Sequence, residues 1–471
     1  MTAKRLSPIA AALALALAGC AVGPDYQRPA STLPQAYKEA PAETAAAAVD
    51  VQWWHAFNDA ELDALVDRAL KDSTDIRIAI ARVEQADAVA RQAGAVLYPE
   101  IDASASASRG RVSAYSPSAP PAGSPLIGKD FQLAASTAYE LDFWGKLRRT
   151  RESALALADA SRYSRDTVRL TLAGDVAGTY LSLRSNDAQI AATRATLQTR
   201  EEAYTIAERR YKSGSTSRLD LEQAENSRAN AAAQLSVLQQ ARALNADLLA
   251  QLVGEPNLEV SDSGGDLSKL PIPPVPPVGL PSSLLDARPD VRAAEAQLAS
   301  SNANIGVAKA ALFPSISLTA AFGVQSTDLS DLFKGGAKFW STGALIDLPL
   351  FDAGRRSARL DEATAAQKEA VEVYRKSAEN AYREVRDALV SVAQNAETEK
   401  QYERALVAAR NVERISRARY EAGSAAFLEL LDAQRSTNDA QVLYIRARLN
   451  RLTASVDLYK ALGGGWKASV N

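Results

Sequence analysis

The chain holds one cysteine, one histidine and one methionine in 471 residues. A lone cysteine excludes an internal disulfide and any cysteine-based metal or redox pair. A lone histidine excludes a His-based triad and a multi-histidine metal site, so enzymatic chemistry would have to rest on carboxylates, Lys, Tyr or Ser, and no constellation of these emerges. The expectation is a protein that is not an enzyme and uses no cofactor or metal. His55, in "VQWWHAFND" beside Trp53 and Trp54, reads as a packing residue. After residue 19 no run reaches eighteen apolar residues, so no transmembrane helix is available and any membrane crossing must use strands. Proline is missing from 126–255 and 350–471, although the chain has 20 prolines.

The cysteine has a context. Lys4 and Arg5 precede an apolar stretch, Ile9 to Ala18, that is too short to span a bilayer and reads as an export signal. Leu17-Ala18-Gly19-Cys20 resembles the bacterial lipoprotein signal, in which cleavage leaves a diacylglycerol-bearing, N-acylated cysteine at the mature N-terminus; the alternative is an ordinary secretory signal. Several acyl chains, at about 0.8 kcal/mol per buried CH₂, hold a protein durably on a membrane. Ala21 stands where an Asp would mark inner-membrane retention, which favours the outer membrane. Without residues 1–19 the basic count falls from 54 to 52 against 56 acids, a net charge of −4, and nucleic acid is not an expected partner.

The rest of the chain is duplicated. "DIRIAIARVEQADAVARQAGAVLYPEI" from Asp75 aligns with "DVRAAEAQLASSNANIGVAKAALFPSI" from Asp290 at an offset of 215, and "RYKSGSTSRLDL" from Arg210 aligns with "RYEAGSAAFLEL" from Arg419 at an offset of 209. The first copy accommodates the difference in a proline-rich loop at 115–125.

The proline-free regions, rich in Ala, Leu, Arg, Glu and Gln, predict very long helices. Ala378, Tyr382, Val385, Leu389, Val392 and Ala396 recur at spacings of 4 and 3, a coiled-coil seam. Gly214 and Gly423 fit left-handed caps at which the chain turns back. A helix from Gly145 to Lys212 would be about 100 Å long. Helices at 72–97 and 217–253 together nearly match it, and 289–312, 354–421 and 425–462 repeat the plan, so two shorter helices end to end would run beside one long one. "PIPPVPPVGLP" at 271–281 is a linker, expected on the outside.

Period-two alternation marks strands at 101–109, 131–143, 316–325 and, less regularly, 339–350. Each half thus inserts a hairpin of membrane-length strands. Four strands cannot close a barrel, and open edges in lipid leave backbone groups unsatisfied at several kcal/mol each, so copies must combine. A cyclic trimer with twelve strands is the smallest ring that leaves useful space. The alternative is a soluble α+β domain with an Ala/Ser linker.

Taken together, "CAVGPDYQRP", "WWHAFND", "RPDVRAAEAQL", the repeated "RYxxGxxxxLxL" turns and the terminal "LYKALGGGW" resemble a TolC-type outer membrane factor, nearest its OprM/NodT-like lipoprotein branch. The resemblance covers essentially the whole mature chain. It implies a mainly α fold with a membrane β-barrel portion. Long coiled-coil helices would form an α-barrel tunnel, and four strands per chain would enter a twelve-stranded trimeric barrel. The segments would be a signal peptide (1–19), an N-terminal lipid-anchored segment (20–71), a first repeat (72–254, hairpin 98–143), a proline-rich equatorial linker (255–287), a second repeat (288–463, hairpin 313–351) and a tail (464–471).

The resemblance also implies function. The chain would be the exit duct of a tripartite multidrug efflux pump, partnered by a periplasmic adaptor protein and an inner-membrane RND transporter, with lipid on Cys20. "LELLDAQR" matches the family's periplasmic constriction, making Leu428, Asp432 and Arg435 gate candidates at i, i+4 and i+7 on one helical stripe. Three aspartates about 6 Å apart would repel by about 3 kcal/mol per pair at an effective dielectric of 20, so the ring needs arginine or a cation. Read from the residues alone, the stripe is also a solvated helix face. Arg210, Tyr211, Gly214, Leu219 and Leu221, with Arg419, Tyr420, Gly423, Leu428 and Leu430, would mark tips that meet the adaptor, or simply structural caps. A duct for protein secretion and a lipid-anchored periplasmic scaffold without a pore are the competing functions.

Overall fold

The computed structural model describes residues 21–30, 33–38, 49–115, 121, 123–261, 267, 270–276 and 278–467. Cys20 and part of the 115–125 loop lie outside the described residues. The helices are α1 (Ala60–Asp72), α2 (Thr74–Ala95), α3 (Lys146–Lys212), α4 (Arg218–Val253), the single-turn α5 (Leu284–Ala287), α6 (Pro289–Ala310), α7 (Arg355–Glu421) and α8 (Phe427–Ala461). The strands are β1 (Glu100–Arg111), β2 (Ile127–Glu140), β3 (Ser315–Ser326) and β4 (Lys338–Asp347). Both long helices, α3 and α7, have 67 residues.

Some boundaries differ from expectation. The helix expected over 72–97 is α2, a little shorter at both ends, and a separate helix, α1, precedes it. α1 ends at Asp72, and Ser73, whose hydroxyl accepts from the Asp75 N–H, starts the 22-residue α2. Strand β2 ends at Glu140 instead of continuing to Phe143, because the Asp142 carboxylate turns to accept the Leu147 and Arg148 N–H groups and opens α3. This is the capping role that suits a short acidic side chain. The proline linker is not simply external, since Pro273, Pro276 and Val278 are buried.

The chain forms two compact units, each drawn from both sequence repeats. One takes the N-terminal stretch to Pro29, Glu84–Ala160 and Glu295–Val373. It contains the whole sheet, antiparallel throughout in the order β1-β2-β3-β4. Its helix packing relies on small side chains: Ala90, Ala154 and Ala158 are buried together, and the Ser153 and Ser300 hydroxyls meet at 2.8 Å. The N-terminal stretch is bound along these elements. The Val22 N–H donates to the Trp144 carbonyl, Asn302 to the Pro24 carbonyl, Arg149 to Asp25, and Arg28 to both oxygens of Glu295.

The other unit takes Ala30–Val83, Ser161–Ala294 and the chain from Tyr374. Its core gathers Trp53, Phe57, the Leu62, Leu65, Val66 and Ala69 stripe of α1, and Tyr180, Leu249, Leu452 and Tyr459. The i, i+3, i+4, i+7 spacing puts the α1 set on one face, and all four are fully buried. Asp59 caps α1 through the Glu61 and Leu62 N–H groups and accepts the Tyr180 hydroxyl at 2.7 Å, while Arg184 ties Tyr180 to Glu61. Burial, reinforced by the bond to Asp59, pushes the Tyr180 phenol far above its ordinary pKa, so it is a permanent donor. His55 departs from its packing assignment. It is exposed, edge-on to Trp54, with Nε2 3.9 Å from Asp63.

Along the expected seam of α7, Ala378, Val385 and Leu389 are buried and Tyr382, Val392 and Ala396 half-buried. Among the described residues no helix is long and apolar enough to cross a membrane.

Candidate functional site: a two-faced sheet and the helix turns

Residues directly opposite in an antiparallel ladder point to the same face. The register therefore sorts the sheet's side chains. Ala105 faces Leu133, Leu133 faces Val324, Ala135 faces Phe322, Phe322 faces Trp340, Tyr139 faces Leu318 and Ile316 faces Ile346. On the other face Ser106 meets Gln132, Ser136 meets Ala321, Gln132 meets Gln325 and Thr319 meets Gly343. One surface is largely apolar across all four strands, interrupted by Thr137 and Thr342, and its reverse is mostly small and polar, with Phe339 and Leu345 as large apolar exceptions.

The apolar surface is uncovered. Ile101 is 76% exposed, Phe322 60%, Trp340 74% and Ile346 66%. A patch of this kind is unstable in water and is the surface that lipid solvates. The outer edges of β1 and β4 have no strand partner among the described residues, a state that hydrocarbon does not tolerate.

One close approach holds the sheet's middle together. A Cβ on Gly323 would stand 2.3 Å from the Leu133 carbonyl and 2.9 Å from the Phe339 ring. Only glycine lets β2 and β3 pair here while Phe339, an apolar exception on the polar face, folds over them.

In the other unit, the two repeated turns close alike. At Gly214 (φ 72°) the N–H donates to the Tyr211 carbonyl and the Ser215 N–H to that of Arg210; at Gly423 (φ 71°) the acceptors are Tyr420 and, for Ser424, Arg419. The paired bonds and left-handed glycine stop each long helix. The turns then diverge. Ser217 and Asp220 form a capping box at the start of α4, whereas its counterpart at the start of α8 is Ala426, which offers no side-chain cap. Hydrogen bonds from the Thr216 hydroxyl first, and then Ser217, hold the Asp220 carboxyl below its ordinary pKa. In the second turn Arg419 binds Glu429 at 2.7 Å instead. Arg210, the counterpart of Arg419, donates to the Tyr420 hydroxyl at 2.7 Å with its guanidinium 5.5 Å from that ring, linking the two turns.

The sequence-nominated residues fall as follows. Leu428, Asp432 and Arg435 share one exposed stripe at the start of α8; Leu428 is 59% exposed, and Arg435 reaches Asp432 at 2.8 Å. Such an exposed pair contributes at most about 1 kcal/mol. Arg210, Tyr211, Gly214, Leu219, Arg419 and Gly423 are exposed, and Tyr420 and Leu221 half-buried. Leu430 is buried, so its role is packing, and it is not part of an exposed tip.

The outer membrane efflux protein family matches the chain over residues 65–255 and 280–464. The pyoverdine export outer membrane protein OpmQ of Pseudomonas aeruginosa is 36% identical over 473 residues, covering 99% of this chain and 98% of that protein. The solvent efflux pump outer membrane protein SrpC of Pseudomonas putida is 35% identical, covering 97% and 98%. The crystal structure of the Campylobacter jejuni CmeC outer membrane channel superposes with a TM-score of 0.88 at 27% identity, covering 96% of each chain. These relatives are transport proteins. With its two-faced strands and paired helix turns, the chain belongs to the outer membrane efflux protein family and is the outer membrane channel of an efflux pump.

Proposed function

We propose that three copies of the chain form a passive exit duct in which each sheet supplies four strands of a twelve-stranded barrel. The observation that carries this reading is the sheet with one exposed apolar face, one small polar face and two unpaired edges. Pairing β1 of one copy with β4 of the next satisfies both edges, turns the apolar face to lipid and lines the lumen with Ser, Thr, Gln and Gly. The duct takes its cargo from a periplasmic adaptor and an inner-membrane RND transporter. The relatives export pyoverdine and solvents by name, which suits a wide lumen with little selectivity for small molecules.

Cys20 carries the lipid anchor; the seating of neighbouring Val22 on the Trp144 carbonyl, between β2 and α3, supports an anchor at the sheet's helix-bearing end. The exposed turn residues around Gly214 and Gly423 contact the adaptor. Leu428, Asp432 and Arg435 form the closed constriction, three copies of each meeting on the axis. Leu428 resists wetting, and Arg435 offsets the crowded aspartates.

Planar-bilayer recording on the purified, acylated protein tests both levels of this reading. A trimer that conducts is expected, and Asp432→Ala with Arg435→Ala should raise single-channel conductance. A monodisperse single copy that passes no ions would sink the channel, and unchanged conductance in the double variant would remove the gate assignment alone.

A further inference from the structure

The opposite ends of the strands differ. At one end β1, β2, β3 and β4 join helices α2, α3, α6 and α7, and at the other β1 connects to β2 and β3 to β4. Resting on the channel reading above, that second end faces the cell exterior. There the apolar face of the sheet gives way to cations, with Ile127, opposite Arg111, the one large apolar side chain among them. On β1 the row Ile101, Ala103, Ala105, Ala107 continues as Arg109 and Arg111, and on β2 Lys129 precedes Phe131 on the same face.

Arg109 and Lys129 are direct cross-strand partners, which brings their Cβ atoms to about 5 Å, and like charges in that position repel. From Ser108 to Lys129 the sequence has three cations and no acid. Asp130 lies on the opposite face, where it accepts from Gln325 at 2.8 Å, and Asp331 is taken by Lys334. Asp328, at the start of the β3–β4 turn, forms no ion pair with them. Among the described residues Arg109, Arg111 and Lys129 have no ion-pair partner, and all three are exposed.

Cations set just beyond an apolar band sit at the depth of lipid headgroups. In the outer leaflet of a Gram-negative outer membrane those headgroups are phosphorylated glucosamines. The geometry points to a site for the phosphate of an outer-leaflet glycolipid, held between Arg109 and Lys129 with Arg111 beside it. Guanidinium forks suit phosphate oxygens, and the acyl chains of the same lipid would lie along the Ala and Leu rows beneath. A bound glycolipid would relieve the Arg109–Lys129 repulsion and fix the rim of the channel in its leaflet.

Native mass spectrometry of the detergent-purified, full-length channel, titrated with bis-phosphorylated lipid A and with the same lipid dephosphorylated, tests this. The phosphorylated lipid should bind at least tenfold more tightly. Arg109→Gln, Arg111→Gln and Lys129→Gln together should reduce it to the level of the dephosphorylated lipid, with single-channel conductance retained. Equal binding of both lipids by the unaltered protein overturns the proposal without recourse to any variant, as does undiminished binding by the triple variant. Absence of conductance in the unaltered protein would instead overturn the channel reading.

Discussion

Gly323 does at a single position what the rest of β3 cannot. The alternation of Ile316, Leu318, Ala320, Phe322 and Val324 makes the strand legible in sequence, but it does not reveal that the backbone of β2 presses on residue 323 or that Phe339 closes over it. The clash a Cβ would meet is with a carbonyl oxygen, which cannot move without breaking the ladder. Gly323→Val should therefore destabilise the sheet by about 2–3 kcal/mol, in the range of overpacked cores. Gly110 provides the contrast, since an added Cβ there meets nothing within 4 Å. The temperature at which the sheet melts, followed by far-UV circular dichroism, should fall for Gly323→Val and stay put for Gly110→Val. Charged residues were equally hidden at this scale. Glu399 is buried and binds both Arg448 and Arg451 at 2.8 Å, though as one acid among many along α7 it carries no mark in the sequence.

At the scale of elements, lengths and turning points were readable because proline exclusion, the repeated glycines and the 4–3 seam are strong local signals. The start of α2 was readable to within two residues, but the Ser73 turn that sets it was not. Nor did the repeat foretell how differently its two turns are secured. A 209-residue offset equates Ser217 with Ala426 and Asp220 with Glu429, yet the first pair makes a capping box and the second turn depends on Arg419–Glu429. The pairing of Arg210 with Tyr420 crosses between repeats, where no spacing rule reaches.

The caps differ in a way pH can expose. Asp220 has its folded pKa depressed, chiefly by the Thr216 hydroxyl. Its stabilisation of α4 is thus complete above the ordinary carboxylate range and is lost as pH falls through the depressed folded value. Amide exchange over 214–222, corrected for intrinsic rates, should accelerate on acidification towards pH 3. In Asp220→Asn, whose side chain keeps an acceptor without the charge, that acid-linked change should disappear.

At the scale of the molecule, the sequence specified the strands but only the register disclosed two coherent faces, because facing depends on which residues stand opposite one another. The proposed trimer rests on edges, a matter of what four strands leave unpaired. That argument has a direct chemical test. Ala105 lies near the middle of edge strand β1, and Thr342, Ala344 and Ile346 lie along edge strand β4. The background is clean, for the sequence has no cysteine besides Cys20, which the proposed lipid consumes. Cysteine introduced at Ala105 together with one of the three β4 positions, screened in turn, should give one combination that oxidises between copies. A closed ring of three produces dimers and trimers on a non-reducing gel and nothing longer, whereas an open edge-to-edge stack would climb without limit. A ladder extending past three would show that β1 and β4 meet without closing, and the twelve-stranded barrel would fall with it.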